Sequence, residues 1–118
     1  MRLTDSEWKI SNCLWKNKCM TLTELTRELL DSTGWTKYTI ITLLKRMIEK
    51  GMVTYEQVGR TKKFYPAIDR TEAELEETNS FIDKVYEGNV GLMIANLIGS
   101  DALTEEQLAE IKKMIEEI

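Results

Sequence analysis

Along the first half of the chain, apolar residues recur three times at helical spacing and then alternate once. Thr4-Asp5-Ser6-Glu7 has the form of a capping box, with Thr4 placed to cap and Glu7 to reach back. Trp8, Leu14 and Trp15 come next, with Ile10 flanking, which predicts a helix over 5–16. The tryptophans, seven apart on one face, read as core. Asn17-Lys18-Cys19 breaks the pattern, and Met20 reads as a short strand residue. Thr21-Leu22-Thr23-Glu24 offers a second capping box. Leu22, Leu25, Leu29 and Leu30 then recur at helical spacing, predicting a helix over 22–31. Asp31-Ser32-Thr33-Gly34-Trp35 reads as a turn, with Trp35 stapling the next helix to the fold.

Thr36 is the expected cap of a third helix running to Lys50 and stopped by Gly51. At 100° per residue, Ile40, Leu43, Leu44, Met47 and Ile48 form one stripe. Tyr38, Thr42, Lys45 and Glu49, with Arg46 beside them, form the opposite face. Residues 52–58 alternate and are rich in β-formers. Gly59-Arg60-Thr61 is a turn, and residues 62–67 form a second strand ended by Pro66, so the pair predicts a β-hairpin. Residues 71–118 show no strand pattern; helices are expected over 71–87, 89–99 and 104–117, the last capped by Thr104 with Gln107 at the box position.

Helix, helix, turn, helix, hairpin is the order of a winged helix-turn-helix. The predicted architecture is mainly α: residues 1–70 form a winged helix-turn-helix, and 71–118 form an appended helical segment. The third helix is then the recognition helix, and the hairpin is the wing.

Charge sharpens this picture. The net charge is −4, but residues 1–70 carry 13 Lys and Arg against 8 Asp and Glu, while residues 71–118 carry 3 against 12. A basic half with an acidic appendage points to nucleic acid as the partner of the first half only. Thr36, Lys37, Tyr38, Thr39 and Thr42 cluster at the start of the third helix, and Lys45 and Arg46 extend its polar face. Arg60, Lys62 and Lys63 lie at the wing tip. Hydroxyls, cations and a helix N-terminus are the groups that hold phosphates. This face is poor in Asn, Gln and Glu, so few direct base contacts are expected, with Thr methyls or Ile41 touching thymine methyls. A winged helix can also serve as a protein-interaction module without sequence-specific DNA binding, and that alternative stays open.

Other function classes find little support. Hydrophobic residues make up 42% and charged residues 31%, the balance of a soluble globular chain. No apolar run is long enough to span a bilayer, and the first residues have no signal-peptide core, so a cytoplasmic protein without membrane insertion is expected. There is no His, and Cys13 and Cys19 alone do not make a zinc site; Cys13 is read as a small core residue and Cys19 as a loop residue. No phosphate loop or nucleophile elbow is present, so neither enzyme activity nor a cofactor or metal is expected.

The second half carries more apolar residues than three short helices can bury alone. Phe81, Val85, Leu92, Met93, Leu97, Leu108, Ile111 and Ile115 are the expected surface of a homodimer, which would also supply the two-fold symmetry of a palindromic DNA site; the alternative is that these helices fold back on the winged domain of the same chain.

The chain resembles the penicillinase-repressor family, which includes methicillin-resistance and copper-transport repressors. The residues that carry the resemblance are Leu3 to Trp8, Leu14-Trp15, the run from Gly34 to Met47, Lys50-Gly51, Gly59-Arg60 and Phe64-Tyr65-Pro66. The resemblance implies a transcriptional repressor whose winged domain binds a palindromic operator and whose tail dimerises. By position, Thr39, Thr42 and Arg46 look like recognition contacts, with Thr36 and Lys37 near the backbone and Arg60 in the wing. Ile41 stands where relatives can carry a polar residue such as Gln. The paired C-x-C motifs of copper-responsive members are not in this sequence, so copper sensing through them is not expected. In the antibiotic-responsive branch, a membrane sensor-protease triggers cleavage of the repressor after an Asn in the dimerisation segment. The matching bond here is Asn96-Leu97, with Leu in place of an aromatic residue.

Overall fold

The computed structural model describes residues 2–118. Helix α1 (Asp5–Asn17) starts where Thr4 Oγ1 accepts the Glu7 amide at 3.2 Å and Glu7 Oε1 accepts the Thr4 amide at 2.8 Å. Its buried stripe is Glu7, Ile10, Ser11, Cys13 and Leu14. Ile10 is therefore a central core residue and not a flanking one. Trp8 and Trp15 meet edge-on at 5.7 Å but are only half-buried, packed against the outside of the core. Trp15 Nε1 donates to the Ile68 carbonyl at 3.2 Å. After α1, Lys18 takes φ 70° and the Cys19 amide donates to the Asn17 carbonyl at 2.8 Å, a γ-turn that redirects the chain.

Met20 pairs with Phe64 in an isolated antiparallel bridge, as a short strand residue would. Helix α2 (Leu22–Thr33) then begins from the Thr21–Glu24 capping box. It runs two residues past the predicted end, because Thr33 Oγ1 donates back to the Leu29 carbonyl at 2.6 Å and the left-handed cap falls on Gly34. Leu25 and Leu29 are buried, while Leu30 is 53% exposed. A step of 100° from Leu29 carries Leu30 off the buried stripe.

Helix α3 (Lys37–Glu49) is capped by Thr36 and ends in a Schellman arrangement. There Gly51, at φ 77°, donates to Ile48, and the Met52 amide donates to the Met47 carbonyl at 2.8 Å. Ile40, Leu44 and Met47 are buried; Leu43 and Ile48 are half-buried at the edges of the stripe. Strands β1 (Val53–Val58) and β2 (Thr61–Pro66) form an antiparallel hairpin with Tyr55 opposite Phe64, Glu56 opposite Lys63 and Gln57 opposite Lys62. Gly59 takes φ 61° and Arg60 an ordinary backbone conformation, as a two-residue type II′ turn requires. The core of this unit is built on Ile10, Leu14, Leu25, Ile40, Leu44, Met47, Met52 and Val53.

Helix α4 (Arg70–Tyr86) comes next, its first turn closed by the Glu72 amide on Asp69 Oδ2 at 3.0 Å. The chain divides into two compact units, one through Glu77 and one over Thr78–Ile118, so the division falls inside α4. The second unit adds α5 (Val90–Gly99), capped by Asn89, and α6 (Glu105–Glu116), capped by the Thr104–Gln107 box. Neither α5 nor α6 buries a single residue. The cysteines are free, Cys13 buried and Cys19 half-buried. Among the described residues, no helix is long and apolar enough to cross a membrane.

Candidate nucleic-acid interface

The first turn of α3 is electrostatically open. Thr36 Oγ1 accepts the Thr39 amide at 3.4 Å, but the amides of Lys37 and Tyr38 have no intrahelical acceptor. Helices α1, α2 and α6 carry acidic residues in their first turns, which offset the positive end of the helix; α3 carries none and begins with Lys37. Thr36, Lys37, Tyr38 and Thr39 are all exposed, Tyr38 to 71%. Lys37 Nζ rests 5.3 Å from the Tyr38 ring centroid. A helix end of this kind attracts phosphate.

Thr42, Lys45 and Arg46 are exposed on the outer face of α3. Thr42 Oγ1 donates to the Tyr38 carbonyl at 2.9 Å, so its hydroxyl proton is used within the helix and it offers outward an acceptor and a methyl group. At 100° per residue, Thr39 and Arg46 flank Thr42 on one side, and Lys45 lies on the other, toward Ile41 and Ile48. Ile41 is half-buried beside the wing, so the structure moves it from the open reading face expected for thymine contacts to the flank of the helix.

The wing lies across a cleft of about 670 Å³ from that flank. Alternation along the hairpin decides which side chains reach it. Val53, Tyr55, Phe64 and Lys62 share one face: its base is buried in the core, and Gln57 and Lys62 extend the same face over the cleft. Lys62 Nζ sits 4.5 Å from the Tyr55 ring centroid, held diagonally across the strands. Arg60 and Lys45 also line the cleft. Lys63 points to the outer face, directly opposite Glu56. There the Tyr65 hydroxyl donates to Glu56 Oε2 at 3.2 Å, and that carboxylate pushes the Tyr65 hydroxyl above its ordinary range. The three wing cations are therefore not one cluster: Arg60 and Lys62 face α3, and Lys63 faces away.

Sequence reasoning missed the fourth side of the cleft, which is Thr21, Leu22 and Thr23 at the start of α2. The legible signal was Met20, which reads as a strand residue; its pairing with Phe64 brings that helix end to the wing. It also missed Glu7, read only as a capping residue. Burial would raise the Glu7 carboxyl, but the Thr4 amide and the Lys50 ammonium outweigh it and hold the group below its ordinary range.

In the second unit, Phe81, Val85, Leu92, Leu97, Leu108 and Ile115 are exposed, and Met93 and Ile111 are half-buried. Asn96 is exposed within α5, and its carbonyl accepts the Ser100 amide at 3.0 Å.

Comparison with known proteins agrees with this architecture. The chain is 28% identical to the penicillinase repressor of Bacillus licheniformis, over 98% of this chain and 91% of that protein. It is 21% identical to the methicillin resistance regulatory protein MecI of Staphylococcus aureus (strain N315), over 96% of this chain and 92% of that protein. The solution structure of the DNA-binding domain of the repressor BlaI superposes with a TM-score of 0.54 at 29% identity, covering 61% of this chain and 93% of that one. The family model described as penicillinase repressor matches residues 3–117, so this winged-helix chain belongs to the penicillinase repressor family.

Proposed function

We propose that the protein is a transcriptional repressor that binds a palindromic operator as a homodimer, in the cytoplasm, and is not an enzyme. Residues 1–70 would serve as the DNA-binding domain and 71–118 as the dimerisation segment. The observation that carries the reading is the uncompensated N-terminal end of α3, with exposed Thr36, Lys37 and Tyr38, bordered by Lys45 and, across the cleft, Arg60 and Lys62. The helix would enter the major groove with Thr39, Thr42 and Arg46 toward base edges, while Lys37 and the wing hold phosphates. The exposed apolar faces of α5 and α6 support the dimer. Isolated helices shorter than about 12–15 residues are marginal in water, so these need a partner surface.

Release would come from cleavage of Asn96-Leu97 by a membrane sensor-protease or another protease, in regulation of antibiotic resistance. The site favours this: Asn96 is exposed and near the C-terminal end of α5, where losing the Asn96–Ser100 hydrogen bond would open the bond to attack.

The test is titration of the full chain on genomic fragments at several salt concentrations. A tight palindromic site, with log K falling linearly in log salt, is expected. No affinity for any fragment even at low salt would replace the reading with an interaction module.

A further inference from the structure

The cleft between α3 and the wing has a floor that DNA does not require. Phosphates are held by cations, hydroxyls and amides. Ile41, Leu44, Ile48, Leu22 and Phe64 nevertheless line the base of this cleft. Lys45, Arg60 and Lys62, all exposed, line it too, and no Asp or Glu is among its lining residues. At the α2 end, the capping box occupies the Thr21 and Glu24 amides, leaving those of Leu22 and Thr23 without intrahelical acceptors. Its volume of about 670 Å³ lies within the range of small-molecule sites, which is roughly 300–1,000 Å³.

We propose that this cleft binds a small organic anion with an apolar body, a ring-bearing carboxylate in chemical class, and that the bound anion displaces operator DNA. The apolar body would lie on Ile41, Ile48 and Phe64, and the carboxylate would pair with Lys45, Arg60 or Lys62. Because the proposed operator contact uses the same cations, the two ligands exclude one another. This exclusion rests on the repressor reading; the binding site does not. Ile41, with Leu44 and Ile48, makes the floor apolar where the helix faces the wing.

The experiment tracks amide signals of the full-length protein during titration with 2-naphthoate, with 2-naphthylmethylammonium, and with inorganic phosphate. Naphthoate is expected to shift Leu22, Ile41, Lys45 and Gln57, while the cation and phosphate leave them in place. Ile41→Glu sets a carboxylate against the anion and is expected to weaken naphthoate binding at least about tenfold, the scale of one charge-assisted contact. The variant's own spectrum shows whether it is folded, and the three-probe comparison on the unaltered chain stands without it. Equal shifts from the ammonium analogue, shifts confined to α5 and α6, or no shifts at millimolar naphthoate would overturn the site. Shifts reproduced by phosphate alone would reduce it to a phosphate seat and overturn it as well. Operator affinity is measured separately without naphthoate, so a failed repressor reading is seen on its own. With naphthoate at ten times its Kd, the apparent operator Kd should rise at least about tenfold by mass action; an unchanged Kd overturns the exclusion.

Discussion

Lys50 Nζ lies 2.9 Å from Glu7 Oε2 and so ties the C-terminal end of α3 to the first turn of α1. The Glu7 side chain is 3% exposed and that of Lys50 is 44% exposed, so the carboxylate is buried while the ammonium still reaches water. The same carboxylate caps α1 through its other oxygen. One side chain therefore closes a helix start and anchors the far end of the helix proposed to read DNA.

Glu7→Gln keeps an acceptor for the Thr4 amide and removes the charge. It should destabilise the first unit by about 1–3 kcal/mol, the usual scale for losing a charge-assisted hydrogen bond. All three tryptophans, Trp8, Trp15 and Trp35, lie in that unit, so fluorescence-monitored denaturation reports it alone. A midpoint equal to that of the unaltered chain would reduce the pair to a surface contact. Lys50→Met should cost at least as much, because it leaves the buried Glu7 carboxylate charged without its partner ammonium.

The pair also sets a pH dependence. The folded Glu7 carboxyl lies below its ordinary value of 4.5. A depressed carboxyl contributes stability that is complete above the unfolded value and fades as pH falls through the folded one. The gap in stability between the unaltered chain and Glu7→Gln should therefore be constant near neutrality and shrink below about pH 4.5. A gap that persists in acid would mean that packing, and not charge, makes the difference.

The caps and the third helix were legible because they depend on local chemistry. Thr4, Thr21, Thr36 and Thr104 each cap the helix that their spacing announced. What the sequence hid depends on tertiary placement. Burial of Glu7 results from α3 ending beside α1, 43 residues away. Ile41 has the same period as a reading-face residue displaced by one step, and only the position of the wing turns it inward. Lys62 and Lys63 are adjacent in sequence, yet a strand sends them to opposite faces, which a count of basic residues at a turn does not resolve.

That separation predicts a difference in salt response. Arg60→Ala and Lys62→Ala should each weaken binding to every DNA sequence and make the slope of log K against log salt shallower by about one unit per lost phosphate contact. Lys63→Ala, on the outer face opposite Glu56, should leave the slope nearly unchanged. Equal effects from all three would mean that DNA wraps the wing on both faces.

Arg46 and Lys45 flank Thr42 on opposite sides, so their roles should also part. Arg46→Ala should cost about 1–3 kcal/mol on the operator and relax discrimination at one base pair per half-site, as expected for a bidentate base contact. Lys45→Ala should weaken operator and random DNA alike. Binding to a panel of single-base operator variants distinguishes the two; a uniform loss for Arg46→Ala would assign it to phosphate.

The dimer is the lever on affinity. One winged unit offers a single half-site of contacts, and joining two makes the second binding event intramolecular, which raises affinity by roughly 10²–10⁴. The exposed apolar residues of α5 and α6, among them Leu92, Leu97, Leu108 and Ile115, are the candidates for that joint. A chain ending at Asn96 removes all of α6 and the last turn of α5 while leaving every core residue of the first unit in place. It should show the tryptophan fluorescence of the folded chain, sediment as a monomer at micromolar concentration, and bind a palindromic site at least about a hundredfold more weakly. Binding to an isolated half-site should be nearly unchanged, since each winged unit keeps its own contacts. A shortened chain that sediments as a dimer and holds the palindrome as tightly as the full chain would move the joint to α4 and the retained part of α5, Val90 to Asn96, and remove Asn96-Leu97 as the point of control.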